Sequence, residues 1–215
     1  MTAQESITKF EGMVDDQLDA DFELQLYNDA KNAIEESQTW EKLKKKDTSV
    51  TVSIGQTQTT THALPTRFAF ALKLQMLTDR TPYSLINFED QYLYQDTSRY
   101  FFIDFASSTF AFTGTIGAAD TVVLFYQEYS TDATSGTLNS YSWGFPDRFH
   151  DIIPYKMAEL YYAIDAGEKA RAWDDRWSNY YTIRVNQMQL WDAKLKMQAK
   201  MSSFYDSNSN PLVAF

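Results

Sequence analysis

The sequence predicts an α+β protein: a helical bundle made of N-terminal and C-terminal helix pairs, with an inserted antiparallel β-rich region. Two patterns carry this expectation. Apolar residues recur at spacings of three and four over residues 3–45 and again over 153–201, which is the period of a helix face. Between them, residues 48–54, 68–77 and 121–129 follow the period-two or continuously apolar pattern of strands. Strands and helices do not alternate, so a doubly wound parallel sheet is not expected. The predicted organisation is a single domain in which residues 1–46 and 146–205 form the bundle. Residues 47–145 form the insertion, and residues 206–215 an extended tail.

The first helix is placed at residues 3–18, with Ile7, Phe10, Val14 and Leu18 on one face. Asp15, Asp16, Asp19 and Asp21 follow, but a calcium loop begun at Asp19 would need Gly and Glu where Leu24 and Ala30 stand. Asp19 instead reads as the N-cap of a second helix, with Asp21 and Glu23 in its positive first turn. That helix is expected to run over residues 20–45, striped by Phe22, Leu26, Ala30, Ala33 and Ile34. Trp40 and Leu43 would close it as core anchors, and Lys42, Lys44, Lys45 and Lys46 would form its solvated, dipole-favoured end.

Residues 48–54 alternate as a strand, 55–58 turn, and 59–64 return as a second strand ended by Pro65. Residues 68–77 put Phe68, Phe70, Leu72, Leu74 and Met76 on one face of a third. Residues 88–94 read as a short helix, and 100–105 and 121–129 as further strands. After the turn-rich Trp143-Gly144-Phe145-Pro146 lead-in, Ile153, Met157, Leu160, Tyr161 and Ile164 mark a helix that Gly167 stops. A longer helix over 170–201 carries Trp173, Trp177, Tyr181, Met188, Trp191 and Leu195. Two amphipathic helices joined by a short Gly-containing link pack antiparallel. Beyond them a polar Ser207-Asn208-Ser209-Asn210 tether leads through Pro211 to an apolar tip of Leu212, Val213, Ala214 and Phe215.

Composition removes whole classes of function. The chain has 215 residues and no cysteine, which rules out disulfides and thiolate zinc sites. Its net charge is −10, concentrated toward the N-terminus, where residues 1–49 hold 12 acids and 6 bases. A nucleic-acid grip needs a basic surface for the phosphates, and the one basic run, Lys42, Lys44, Lys45 and Lys46, reads first as a solvated helix end. The start lacks the basic-then-apolar pattern of a signal peptide, and no apolar run approaches a membrane span, so a soluble protein is expected.

The two histidines, His62 and His150, are far apart in sequence. Phosphate-loop, dinucleotide and nucleophile-elbow patterns are absent. His150, between Asp147 and Asp151, reads as a brace at a helix start. Asp174 and Asp175 lie between Trp173 and Trp177, but the two tryptophans are four apart on one helix face, which is core or interface spacing rather than that of a sugar site. Arg184, on the otherwise apolar side of the last helix, is expected to pair with an acid of a neighbouring helix or subunit. No enzyme activity and no cofactor are expected.

Several stretches together resemble the head-to-tail adaptor (connector) proteins of tailed bacteriophages. They are Glu35-Glu36-Ser37-Gln38-Thr39-Trp40-Glu41-Lys42-Leu43, the strand pair closed by Leu64-Pro65, and Phe145-Pro146-Asp147-Arg148-Phe149-His150-Asp151-Ile152-Ile153. Met157-Ala158-Glu159-Leu160-Tyr161-Tyr162 and the terminal Met188-Gln189-Leu190-Trp191-Asp192 complete the set. The resemblance spans most of residues 20–200. It implies a virion structural protein of the neck, made in the bacterial host cytoplasm. Its copies would form a ring, commonly of twelve, between the portal and the tail or neck proteins, and DNA would pass without specific binding. An acidic chain suits such a channel, and excess aromatics suit subunit interfaces. The expected partner-binding residues are Leu212, Val213, Phe215 and Arg184. The alternatives are another phage tail or neck protein, or a glycan-binding β module on a helical stalk. The glycan module would need Tyr92, Tyr94, Tyr126 and Tyr141 exposed.

Overall fold

The computed structural model describes residues 1–14, 18–95, 97, 99–164 and 168–208, with the side chains of 168–176, 199 and 201–208 left out. The fold is mixed α+β, with four α-helices and a curled β-sheet. The chain divides into two compact units, Met1–Lys42 with Ser130–Phe215, and Leu43–Tyr129.

The first unit holds α1 (Ala3–Val14), α2 (Ala20–Glu36), α3 (Ile152–Ile164) and α4 (Glu168–Asn208). Asp19 caps α2 as its position predicts, its carboxylate accepting from the N–H groups of Asp21 at 3.0 Å and Phe22 at 3.4 Å. Helix α3 packs against each of the other three. Its Ile152, Ile153, Met157 and Ala158 are fully buried, together with Phe10, Ala30, Ile34 and Met188 from its neighbours. Pro154 is tolerated because it falls in the first turn, where its missing N–H has no helical partner. Asp151 meets Arg184 and, further along α3, Tyr155 stacks on Trp177, so α3 and α4 run antiparallel.

The expected helix over 20–45 ends at Glu36. The Ile34 carbonyl explains the stop. It accepts from the Ser37 N–H, the Ser37 hydroxyl at 2.7 Å and the Trp40 indole at 3.0 Å, so the chain folds back over the helix end. Trp40 is completely buried, as a core anchor beyond the helix rather than within it. The lysine run is correspondingly not a helix end. Lys44, Lys45 and Lys46 lie in strand β1 (Lys44–Asp47).

The second unit holds that strand with β2 (Thr51–Val52), β3 (Thr61–Ala63), β4 (Phe68–Met76), β5 (Pro82–Ile86), β6 (Tyr100–Asp104), β7 (Thr109–Phe112) and β8 (Asp120–Glu128). The sheet order is β1-β8-β4-β5-β6-β7-β3, with β2 also on β8. Its core gathers Val52, Leu74, Met76, Phe101, Phe110, Phe112, Val122 and Leu124. The expectation of an antiparallel region needs one correction, because β5 and β6 pair in parallel. Two further readings change. Residues 88–94 give only a single 3-10 turn at Phe88–Asp90, and the even alternation over 68–77 fails. Register shifts between Phe68 and Phe70 and between Ala71 and Lys73 insert bulges, which leave Leu72 37% exposed while Leu74 and Met76 stay buried.

Candidate functional site

Each unit presents surfaces of its own. In the helical unit, Arg184 lies on α4. Its guanidinium donates to both carboxylate oxygens of Asp151 at 2.8 Å, to the Arg148 carbonyl at 2.7 Å and to Gln187 Oε1 at 2.7 Å. Around it Arg148, Phe149, Gln187, Leu190, Trp191 and Lys194 line a shallow groove of about 310 Å³. The Arg148 guanidinium sits 4.8 Å over the Phe149 ring, and Leu190 is 66% exposed. Three bases and three apolar side chains, on an acidic chain, make a surface suited to a partner segment carrying carboxylates and apolar groups. The Asp151 bond fixes the Arg184 fork, so the groove is preorganised.

The sequence reading missed a buried charged cluster that holds residues 130–132 to α2. Lys31 and Glu35, one helical turn apart, are both fully buried. Lys31 Nζ donates to the carbonyls of Ser130 at 3.0 Å and Thr131 at 3.1 Å, and to Asp132 Oδ1 at 2.7 Å. Glu35 accepts from the Ser130 N–H at 3.0 Å, from the Ser130 hydroxyl and from the Trp143 indole at 2.7 Å. Asp192 on α4 is also buried, accepting from the Glu41 N–H at 2.8 Å and pairing with Lys196 at 2.6 Å. These carboxylates are engaged by backbone, indole and ammonium donors, which suits bracing rather than proton transfer.

His150 has the same bracing role. Its Nε2 donates to the Phe145 carbonyl at 2.7 Å, and its Nδ1 lies 2.9 Å from the Met1 carbonyl. His62 belongs to the other unit, where its ring lies between Phe110 and Phe112 and burial lowers its pKa. Among the described residues, no group of three or more His, Asp or Glu converges as a metal site would. No helix among them is long and apolar enough to cross a membrane.

In the β unit, apolar residues face outward: Phe105 is 67% exposed, Leu85 52% and Phe88 45%. Of the four tyrosines a glycan platform would need, Tyr92 is widely exposed. Tyr126 is buried against Phe68, Tyr94 packs on Tyr100, and Tyr141 belongs to the helical unit, where its hydroxyl donates to the Thr131 carbonyl. Trp191 is half-buried, its ring against Phe145 and Phe149, whereas Trp177 is buried. The side chains of Trp173, Asp174 and Asp175 lie outside the described set, as do Leu212, Val213 and Phe215.

No curated protein matches the chain significantly. The sequence model of one protein family, described as "SU10 adaptor protein", matches residues 1–201. This is a family of phage structural proteins, which places the chain among virion components that contact other head or tail proteins. The match covers all but the last residues of the sequence, and the chain belongs to this phage head–tail adaptor family.

Proposed function

We propose that copies of this chain form a ring that joins the portal of a tailed-phage capsid to its tail and lets DNA pass. The family match over residues 1–201 is the observation that carries this reading. The side-chain chemistry supports it, because the buried Glu35 and His150 are engaged by structural donors and acceptors while the exposed chemistry is that of contact surfaces. Each copy acts as one adaptor domain, a helical bundle carrying an inserted β-rich region. The ring is of the twelve-copy kind, seated between the portal and the tail or neck proteins. Arg184 and its groove contribute a partner contact. Leu212, Val213 and Phe215 dock onto an adjacent subunit or the portal during assembly.

The test is the mass and shape of the purified protein alone and mixed with its phage's portal, by native mass spectrometry and electron microscopy. A ring of copies bound to the portal is expected. A chain that binds neither portal nor tail proteins at tens of micromolar overturns the reading.

A further inference from the structure

The sheet of the β unit contains a break. Strand β4 pairs with β8 along its length, from Phe68 to Met76. On its other side it meets β5 only at Leu74 with Tyr83 and Gln75 with Pro82. Strand β5 then leaves β4 and runs parallel to β6 from Ser84 to Ile86. Residues 68–73 therefore carry an edge that pairs with no other strand among the described residues. Such an edge presents a row of N–H and C=O groups, which is a template for an added strand.

The gap is an apolar groove of about 600 Å³, with Phe70, Ala71, Leu85, Ile86, Phe88 and Phe105 on its walls. Glu89 is the single charged residue among those lining it. Two bulges in β4 turn Leu72 outward beside the same edge. An occupant of this groove must be extended, apolar and free of charged side chains, because an apolar wall leaves a buried charge unpaired.

The chain carries a segment of that chemistry outside the described residues: Leu212-Val213-Ala214-Phe215. Val and Phe favour strands, and Pro211 is acceptable as the first residue of one, where it need not donate. Four strand residues advance about 13 Å, which fits within the open stretch of β4, about 20 Å at the same rise per residue. Between the end of α4 at Asn208 and this segment stand Ser209, Asn210 and Pro211, whose sequence offers no competing apolar group.

We propose that the groove receives residues 212–215 of a neighbouring copy as a strand added to the open edge of β4, with alternate side chains entering the apolar walls. The proposal rests on the ring reading and deepens it. A groove on one copy and a segment on the next make a head-to-tail contact, the kind that closes rings of identical subunits.

The test is a peptide spanning residues 207–215, labelled at its N-terminus and left with a free carboxylate, titrated against the chain lacking residues 211–215. Saturable binding is expected, weakened at least tenfold by Phe105→Asp and by Leu85→Asp. Both positions are exposed, and a thermal melt checks that each variant is folded; Leu85→Ser replaces either one that is not. A peptide carrying Val213→Asp and Phe215→Asp is expected not to bind. Absence of saturable binding, or binding unchanged in folded groove variants, overturns the proposal. Portal assembly is scored separately. If the parent fails to assemble, the ring reading fails while the titration still decides the groove. If the groove variants lose portal binding but the peptide never binds, the portal occupies the groove and the proposal is wrong.

Discussion

Glu23 shows how one buried group sets a pH dependence. It lies in the first turn of α2, where an acid favours the helix dipole, yet it is only 6% exposed. Burial, and then the Glu11 carboxylate beside it, push its pKa up to about 7; Asp19 adds to the rise, and the Leu18 N–H opposes it. The folded state therefore holds a proton that the unfolded state releases near pH 4.5. Stability falls as pH rises from about 4.5 through 7, because the folded form binds more protons across that window. Glu23→Gln removes the loss. At pH 8 the variant should be more stable than the parent by on the order of 1–3 kcal/mol, with no gain at pH 4, as read from denaturant melts at both values. An equal gain at both would show that Glu23 is not protonated in the folded state. Trp191 makes a second case. The helix stripe assigns it to the core, but the ring is half-buried against Phe145 and Phe149. Trp191→Ala should cost roughly 2 kcal/mol, against about 3–5 kcal/mol for a tryptophan enclosed in a core. A variant as stable as the parent that fails to assemble would move Trp191 into an interface.

At the scale of elements, the segment after β8 is held to α2 chiefly by charge. Glu35→Ala would strip the Ser130 N–H and the Trp143 indole of their shared acceptor and leave Lys31 with one carboxylate fewer nearby. The expected cost is about 3–5 kcal/mol, the usual result of breaking a buried charged cluster from one side. Hydrogen exchange should show residues 130–132 losing protection before α2 does, and unchanged protection there would refute the anchoring role. This cluster was illegible in sequence for a physical reason. Lys31 and Glu35 occupy the polar side of an amphipathic pattern, and only a segment about a hundred residues away covers them. Helices were legible because their stripes are local, as was the Asp19 cap, which needs only its own next residues. The stop after Glu36 was not, since it depends on Trp40 folding back to the Ile34 carbonyl. Strand β1 reads as a charged run in isolation; pairing with β8, with Lys45 3.3 Å from Glu128, makes it an edge strand with lysines of the kind that discourages further pairing. Strands β5 and β7 are short, and β5 opens on a proline, so neither carries enough period-two signal to be read. The groove residues Leu85, Phe88 and Phe105 come from separate segments, and the gap between them follows from β5 parting from β4.

For the whole molecule, net charge bears on the proposed passage of DNA. The chain carries −10, and at least six of its 19 Lys and Arg are held by carboxylates: Lys31 by Asp132, Lys45 and Arg67 by Glu128, Lys156 by Glu159, Arg184 by Asp151, and Lys196 by Asp192. Binding to duplex DNA is driven by bases replacing condensed counterions on the phosphates, and bases already held by carboxylates release few. A copy that repels phosphate overall can lie beside moving DNA without braking it. The expected result is that a 25-base-pair duplex shows no binding to the protein up to about 100 μM at 0.15 M salt, by fluorescence anisotropy, weaker than the ~10⁻⁴–10⁻⁶ M of ordinary non-specific binders. The groove of Arg148, Arg184 and Lys194 is where a phosphate would be held if one were. Micromolar binding that falls steeply with salt and disappears in Arg148→Ala with Lys194→Ala would turn that groove into a DNA contact. It would also contradict the free passage proposed for DNA, because a ring of the proposed kind would multiply each such contact by its number of copies.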